Sequence, residues 1–177
     1  LVNEYREKLK GKTAYLTAGA AHGHAIIALL RELGLEVKGA AIFHHDPIYD
    51  NGDPTSDALA HDVRTYGDIK NYNVCSKQAY ELVNILNRVR PDLMIARHGG
   101  MTFWGAKLGV PTLLIGDEQF GFGYQGILNY AERILETLDN REFVTNLAKH
   151  SSMPYTKWWL EQNPFSFLGG NTHVDTY

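Results

Sequence analysis

Residues 17–25 read TAGAAHGHA: an apolar run ends in small residues, two histidines follow one residue apart, and a helical apolar pattern takes over. Such a stretch suits a phosphate cradle, a metal site or the wall of a larger cofactor pocket. Small residues let backbone N–H groups at a helix start approach an anionic or bulky group, and H-x-H can supply two zinc ligands. More imidazoles fall at comparable places. His44 and His45 close a second apolar run, His98 closes LMIARH, and a further exit, GDEQFGFGYQG, carries Asp117, Glu118 and four glycines.

The nucleotide and nucleophile fingerprints fail. GAAHGH is not G-x-G-x-x-G, no G-K-S/T completes a P-loop, and no acidic residue sits cleanly at the end of the second strand to hold a ribose. H-E-x-x-H is absent, as is a nucleophile elbow. The opening stretch therefore reads as a cofactor wall. Plainer roles stand beside this one. His22 could cap a helix and His24 could be its first-turn residue. His44 and His45 point to opposite sides if they remain in a strand, and His98 could be a core histidine donating to backbone. His61, His150 and His173 read as surface residues, Cys75 as a small buried hydrophobe, and Trp104, Trp158 and Trp159 as packing or interface residues.

The elements that must position these groups alternate in type. KTAYLTAG (12–19) predicts a strand. HAIIALLRELG (24–34) predicts a helix with Ile27, Leu30 and Leu33 inward and Gly34 as its stop. EVKGAAIFH (36–44) is a second strand. Turn residues 50–56 lead to a helix capped by Ser56 or Asp57 and reaching about Tyr66. A weaker strand follows at Asn71–Cys75, and a helix capped by Ser76 ends before Pro91. DLMIARHGG and VPTLLIGD are buried strands around a short helix, MTFWGAKLG. Helices are expected at 124–138 and around 141–149 and 155–161.

This order implies an α/β fold: a Rossmann-like parallel sheet with helices on both faces. Residues 1–150 form that domain, and 151–177 form a C-terminal helix and tail. Ligands of such sheets sit beyond the carboxyl ends of the strands. The loops Ala20–His24, His44–Asp46, Arg97–Gly100 and Gly116–Gly121 should therefore meet at one edge. They make Ala21, His22, Gly23, His24, His44, His98, Gly99, Gly116, Asp117 and Glu118 the candidate cofactor-binding residues, with no catalytic residue named.

The totals set bounds. A chain of 177 residues with 44% hydrophobic and 21% charged residues fits an ordinary globular domain. A net charge of −3 gives no electrostatic reason to expect nucleic acid or an anionic membrane. A single cysteine rules out an internal disulfide and an all-cysteine metal site, which suits a cytoplasmic setting. No apolar run is long enough to span a membrane. The start, LVNEYREKLKGK, reads as a charged amphipathic helix rather than a signal peptide, as expected of a domain from a longer protein.

Three segments, in order, resemble the nitrogenase component 1 family. They are YREKLKGKTAYLTAGAAHGHAIIALLRELGLEVKGAAIFHHDPIYD, RPDLMIARHGGMTFWGAKLGVPTL with its K/R-P-D strand and G-V/I-P turn, and FGYQGILNYAERILETLD with its G-Y-x-G helix. Together they span roughly residues 5–139. The family includes nitrogenase α and β chains, cofactor-assembly scaffolds and dark-operative protochlorophyllide reductase subunits.

The resemblance implies the last of three α/β domains, with missing N-terminal domains in the same chain. It also implies a partner component 1 subunit and an ATP-dependent iron–sulfur reductase. The cluster-holding cysteines belong to the family's earlier domains, and Cys75 matches none of them. An iron–sulfur cluster or related metallocofactor is expected in the full complex, and none bound to the isolated fragment. In α chains a cofactor-contacting arginine stands where this chain has about Ala21, and the heterometal-ligating histidine falls at Gly116, beside Asp117 and Glu118. These departures suit a β-like, scaffold-like or divergent reductase member. The implied function is low-potential multi-electron reduction in a nitrogenase-like oxidoreductase, as in nitrogen fixation. The alternative is a non-redox ligand-binding or sugar-nucleotide transferase domain on the same type of sheet.

Overall fold

The computed structural model describes residues 1–74, 79–116 and 123–163. Five strands, β1 (Thr13–Ala18), β2 (Glu36–Ile42), β3 (Asn71–Val74), β4 (Leu93–Ala96) and β5 (Thr112–Leu114), form one parallel sheet in the order β3-β2-β1-β4-β5. Among the described residues eight helices surround it: α1 (Val2–Leu9), α2 (Ala20–Glu32), α3 (Ala58–Tyr66), α4 (Ala79–Val89), α5 (Gly99–Lys107), α6 (Gly123–Asp139), α7 (Arg141–Lys149) and α8 (Lys157–Glu161). The α/β sheet expected from the sequence is the fold observed.

The central strand shows why both faces are covered. Ala14, Leu16 and Ala18 of β1 pack with Ile27, Leu30 and Ile134, while Tyr15 turns to the opposite cluster with Leu82, Leu86 and Met94. Alternating side chains of one strand thus feed two cores. Gly34 stops α2 as expected, with φ of +88°.

Two boundaries differ from the sequence expectation. α2 begins at Ala20, four residues before His24, because Ala20 and Ala21 favour the helix and Gly19 serves as N-cap. β2 ends at Ile42, where the Phe43 N–H donates to the Ala18 carbonyl at 3.0 Å and closes the ladder. His44 and His45 therefore leave the strand rather than alternating within it. The expected Ser76 cap lies outside the described residues.

The K/R-P-D segment acts at the opposite, amino edge of the sheet. Asp92 Oδ2 accepts from the Thr13 N–H (2.9 Å) and hydroxyl (2.8 Å), and Asp92 Oδ1 accepts from Arg141 Nη2 at 2.5 Å. This carboxylate ties the starts of β1 and β4 to α7. Met153, Tyr155 and Leu160 pack on the α4 side of the sheet, and Asn84 Nδ2 donates to the carbonyls of Leu160 (3.1 Å) and Gln162 (2.5 Å). The described part of the 151–177 segment thus docks on α4, and its remainder, with His173, lies outside the described residues.

Candidate functional site

Strand order reverses between β1 and β4, so the crevice of this sheet opens beyond their carboxyl ends. Hydrogen bonds hold the exits together there. Arg97 N–H donates to the Thr17 carbonyl (2.9 Å), Ile115 N–H to the Ala96 carbonyl (2.9 Å), and Arg97 Nη1 to the Ile115 carbonyl (3.0 Å). Gly116 follows directly and is half-buried.

His98 occupies the N-cap position of α5, is exposed, and lies 5.1 Å from the Phe43 ring, centroid to centroid. Its reading as a core histidine is therefore set aside. Among the described residues, a Cβ placed on Gly99 or Gly100 would meet nothing within 4 Å, so the start of α5 presents bare backbone. His44 is exposed and leans on the start of α2, where its Cε1 would lie 3.0 Å from a Cβ on Gly19. Ala21 and His22 are exposed in the first turn of that helix. These described residues gather at the carboxyl edge. Asp117 and Glu118 lie outside the described residues, as does Cys75.

Gly23 and His24 turn elsewhere. Gly23 faces the core, where an added Cβ would meet Ile42 Cδ1 at 2.5 Å. His24, only 3% exposed, points toward β3. Its Nε2 shares a 2.9 Å hydrogen bond with the Tyr72 hydroxyl, and its Nδ1 faces Asp50 Oδ1 at 3.5 Å. His24 thus sits on the β2–β3 side, not beside His98.

The loop after β2 supplies the partners. Asp50 Oδ2 accepts from the Asp46 N–H at 2.7 Å and faces His45 Nδ1 at 3.4 Å. Asp57 caps α3, its Oδ1 accepting from the Leu59 and Ala60 N–H groups, while its Oδ2 accepts from the Gly52 N–H at 2.8 Å. Ligand atoms of His24, Asp50 and Asp57 all lie within 4.8 Å of one another, the described trio able to hold a metal ion. A cleft of about 310 Å³ opens here, lined by Ala20, His24, His44, Asp46, Asp50 and Ser56 among others. A larger cleft of about 370 Å³, at Glu36, Lys38 and Asn71, lies at the amino ends of β2 and β3, the wrong edge for a sheet of this type.

Burial and charge act together in the cluster. Burial lowers the His24 imidazole below its ordinary value, against the opposing pull of Asp50, Asp57 and Asp62. Burial, with Asp50 and Asp57 nearby, pushes the Tyr72 phenol up to about 12. Arg31 spends its charge on Asp62, 2.7 Å away, and on the Gly67 and Asp68 carbonyls. The roles of Asp50, Asp57 and Tyr72 around His24 were not read from the sequence. The signal available was the inward stripe Ile27, Leu30, which reaches His24 when extended one turn back.

Among the described residues no helix is long and apolar enough to cross a membrane. A family model described as nitrogenase component 1 type oxidoreductase matches residues 1–139. The nitrogenase iron-molybdenum cofactor biosynthesis protein NifE of Bradyrhizobium diazoefficiens is 24% identical over 141 residues, covering 78% of this chain and 24% of that protein. The nitrogenase molybdenum-iron protein alpha chain of Methanosarcina barkeri is 44% identical over 50 residues, 28% of this chain and 9% of that one. A solved structure of nitrogenase Cp1 at pH 6.5 aligns with a TM-score of 0.62 at 16% identity, covering 80% of this chain and 31% of that chain. The chain thus spans about a quarter of the NifE relative and about a third of the solved chain.

Proposed function

The chain belongs to the nitrogenase component 1 type oxidoreductase family, and we propose that this domain walls one side of a metallocofactor site in a complex for low-potential multi-electron reduction. The observation that supports this reading is that His22, His98, Gly99 and Gly116 follow the carboxyl ends of β1, β4 and β5, the edge of the sheet where the strand order reverses. The reading also includes the missing N-terminal domains, a partner component 1 subunit and an ATP-dependent iron–sulfur reductase.

Thiolate-held clusters take several cysteines, and this chain has one. Ligation of such a cluster by this chain alone does not fit. Contact does fit, because the edge offers imidazoles and exposed glycine backbone. When bound, the group supplies electrons at low potential. The chain's own residues do the remaining work. Gly99 and Gly100 let a bulky neighbour approach the backbone closely. Phe43 limits the freedom of the His98 ring and so fixes where its nitrogens point, as a positioned proton donor requires. Ala21 and His44 extend the proposed wall, and Asp117 and Glu118, candidates from the sequence, lie outside the described residues.

The test is turnover by the full complex carrying His98→Ala or His22→Ala. Both variants should assemble normally, and at least one should turn over about a hundredfold more slowly, the scale of a lost proton donor. Unchanged turnover in both would overturn the assignment of these histidines to the site.

A further inference from the structure

We propose that His24, Asp50 and Asp57 form a binding site for one divalent first-row transition-metal ion, on the β2–β3 side of the edge that carries His98. The site does not depend on the function proposed above. Its three ligand atoms come from three elements: the second turn of α2, the loop after β2 and the N-cap of α3. They fall within 4.8 Å of one another, and the residues are largely withdrawn from solvent. His24 is 3% and Asp57 5% exposed, and the Asp50 side chain is 10% exposed.

The donor arrangement favours a metal over a self-contained hydrogen-bond network. The His24–Asp50 contact is 3.5 Å, long for a hydrogen bond between such groups. Around a metal at about 2.1 Å from each ligand, neighbouring ligand atoms stand roughly 3–3.5 Å apart. The second nitrogen of His24 meets the Tyr72 hydroxyl at 2.9 Å, the outer bond that metal-bound imidazoles make to fix the ring. With the proton on Nε2, the Nδ1 lone pair faces the carboxylates.

Both carboxylates keep room to ligate. Asp50 Oδ1 faces His24, and among the described residues Asp57 Oδ2 accepts only the Gly52 N–H. Asp50 has two histidines as its described ion-pair partners, and Arg31 is committed to Asp62. Carboxylates taken out of water need positive charge, from a partner or a metal. One imidazole with two carboxylates is a mixed nitrogen and oxygen set, suited to ions such as Mn²⁺, Fe²⁺, Co²⁺ or Zn²⁺. The cleft over His24 and Asp50 leaves space for water as the remaining ligands.

The experiment is Co²⁺ titration of the chelator-treated, desalted protein, followed by visible absorption and calorimetry. One ion per chain is expected to bind saturably. Asp50→Asn and His24→Gln should abolish that binding, and Tyr72→Phe should weaken it about tenfold or more through the outer bond. His61→Ala, on the exposed face of α3, should leave it unchanged. Circular dichroism checks folding, and Tyr72→Phe, which removes only a hydroxyl, decides the matter if the ligand variants unfold. Absence of saturable binding by the folded wild type overturns the proposal. So does unchanged affinity in Tyr72→Phe, or in the folded His24→Gln and Asp50→Asn proteins, which would mark the ion as adventitious.

Discussion

The rings of Phe43 and His98 lie 5.1 Å apart, although β1 separates the strands that these residues follow. Phe43 reaches across the end of the central strand and steadies an imidazole at the point of strand reversal. The proposed proton-bearing group is thus positioned by an aromatic side chain from another loop.

That contact can be read directly by NMR. In Phe43→Ala the His98 ring-proton signals should move toward their random-coil positions, while the protein stays folded. In the full complex, turnover should fall together with that shift. Unmoved His98 signals would show that Phe43 does not fix the ring.

Gly23 separates packing from cofactor contact. Its missing Cβ makes room for Ile42 Cδ1, which would otherwise lie 2.5 Å away. Gly23→Ala should destabilise the domain by about 1–3 kcal/mol, the usual range for overpacking. Ile42→Val removes the clashing methyl and should recover part of that loss in the double variant, as measured by urea unfolding. Additive losses would remove this explanation.

Asp92 gives the acid limb of stability a named source. Burial acts to raise its carboxyl, but the Thr13 N–H and hydroxyl, with Arg141, outweigh burial and hold it below the ordinary value of 3.8. A carboxyl lowered on folding stabilises above its unfolded value, and that contribution is lost as pH falls through the folded value. Asp92→Asn should cost about 1–2 kcal/mol at pH 7, as expected for lost hydrogen bonds. The difference from wild type should shrink below pH 3.8. A constant difference between pH 7 and pH 2.5 in denaturant melts would contradict this.

Trp158 is 57% and Trp159 40% exposed, so the tryptophan pair does not close this domain's own core. The two rings lie 4.9 Å apart, edge to face. Trp158→Ala should change the stability of the chain by no more than about 0.5 kcal/mol, as exposed substitutions do. In the full complex it should weaken association, measured by sedimentation, if this face meets another domain or subunit. Unaltered association would leave Trp158 as a surface residue.

The sheet was legible because alternation of type and burial on both faces leave a strong mark: LMIA is apolar throughout, TAYLTA is buried beyond its first residue, and Gly34 and Asp57 announce helix ends. The edge was legible through the strand-end rule, which placed His44 and His98 on it. His24 was harder. Its fate depends on where α2 starts, and the four residues gained at that end rotate it from the edge toward β3. Asp50, Asp57 and Tyr72 lie 26 to 48 residues further along the chain, so only the folded loop reveals them as neighbours. Asp92 sits in the family-like K/R-P-D segment, yet it clamps the amino edge, far from the strand ends where ligands bind.

Iron and acid-labile sulfide analysis of the anaerobically purified full-length complex is the most direct measurement of the central claim. The domain assignment expects both elements in stoichiometric amounts, with the broad visible absorption of iron–sulfur centres. A folded, assembled complex lacking iron and sulfide would contradict it.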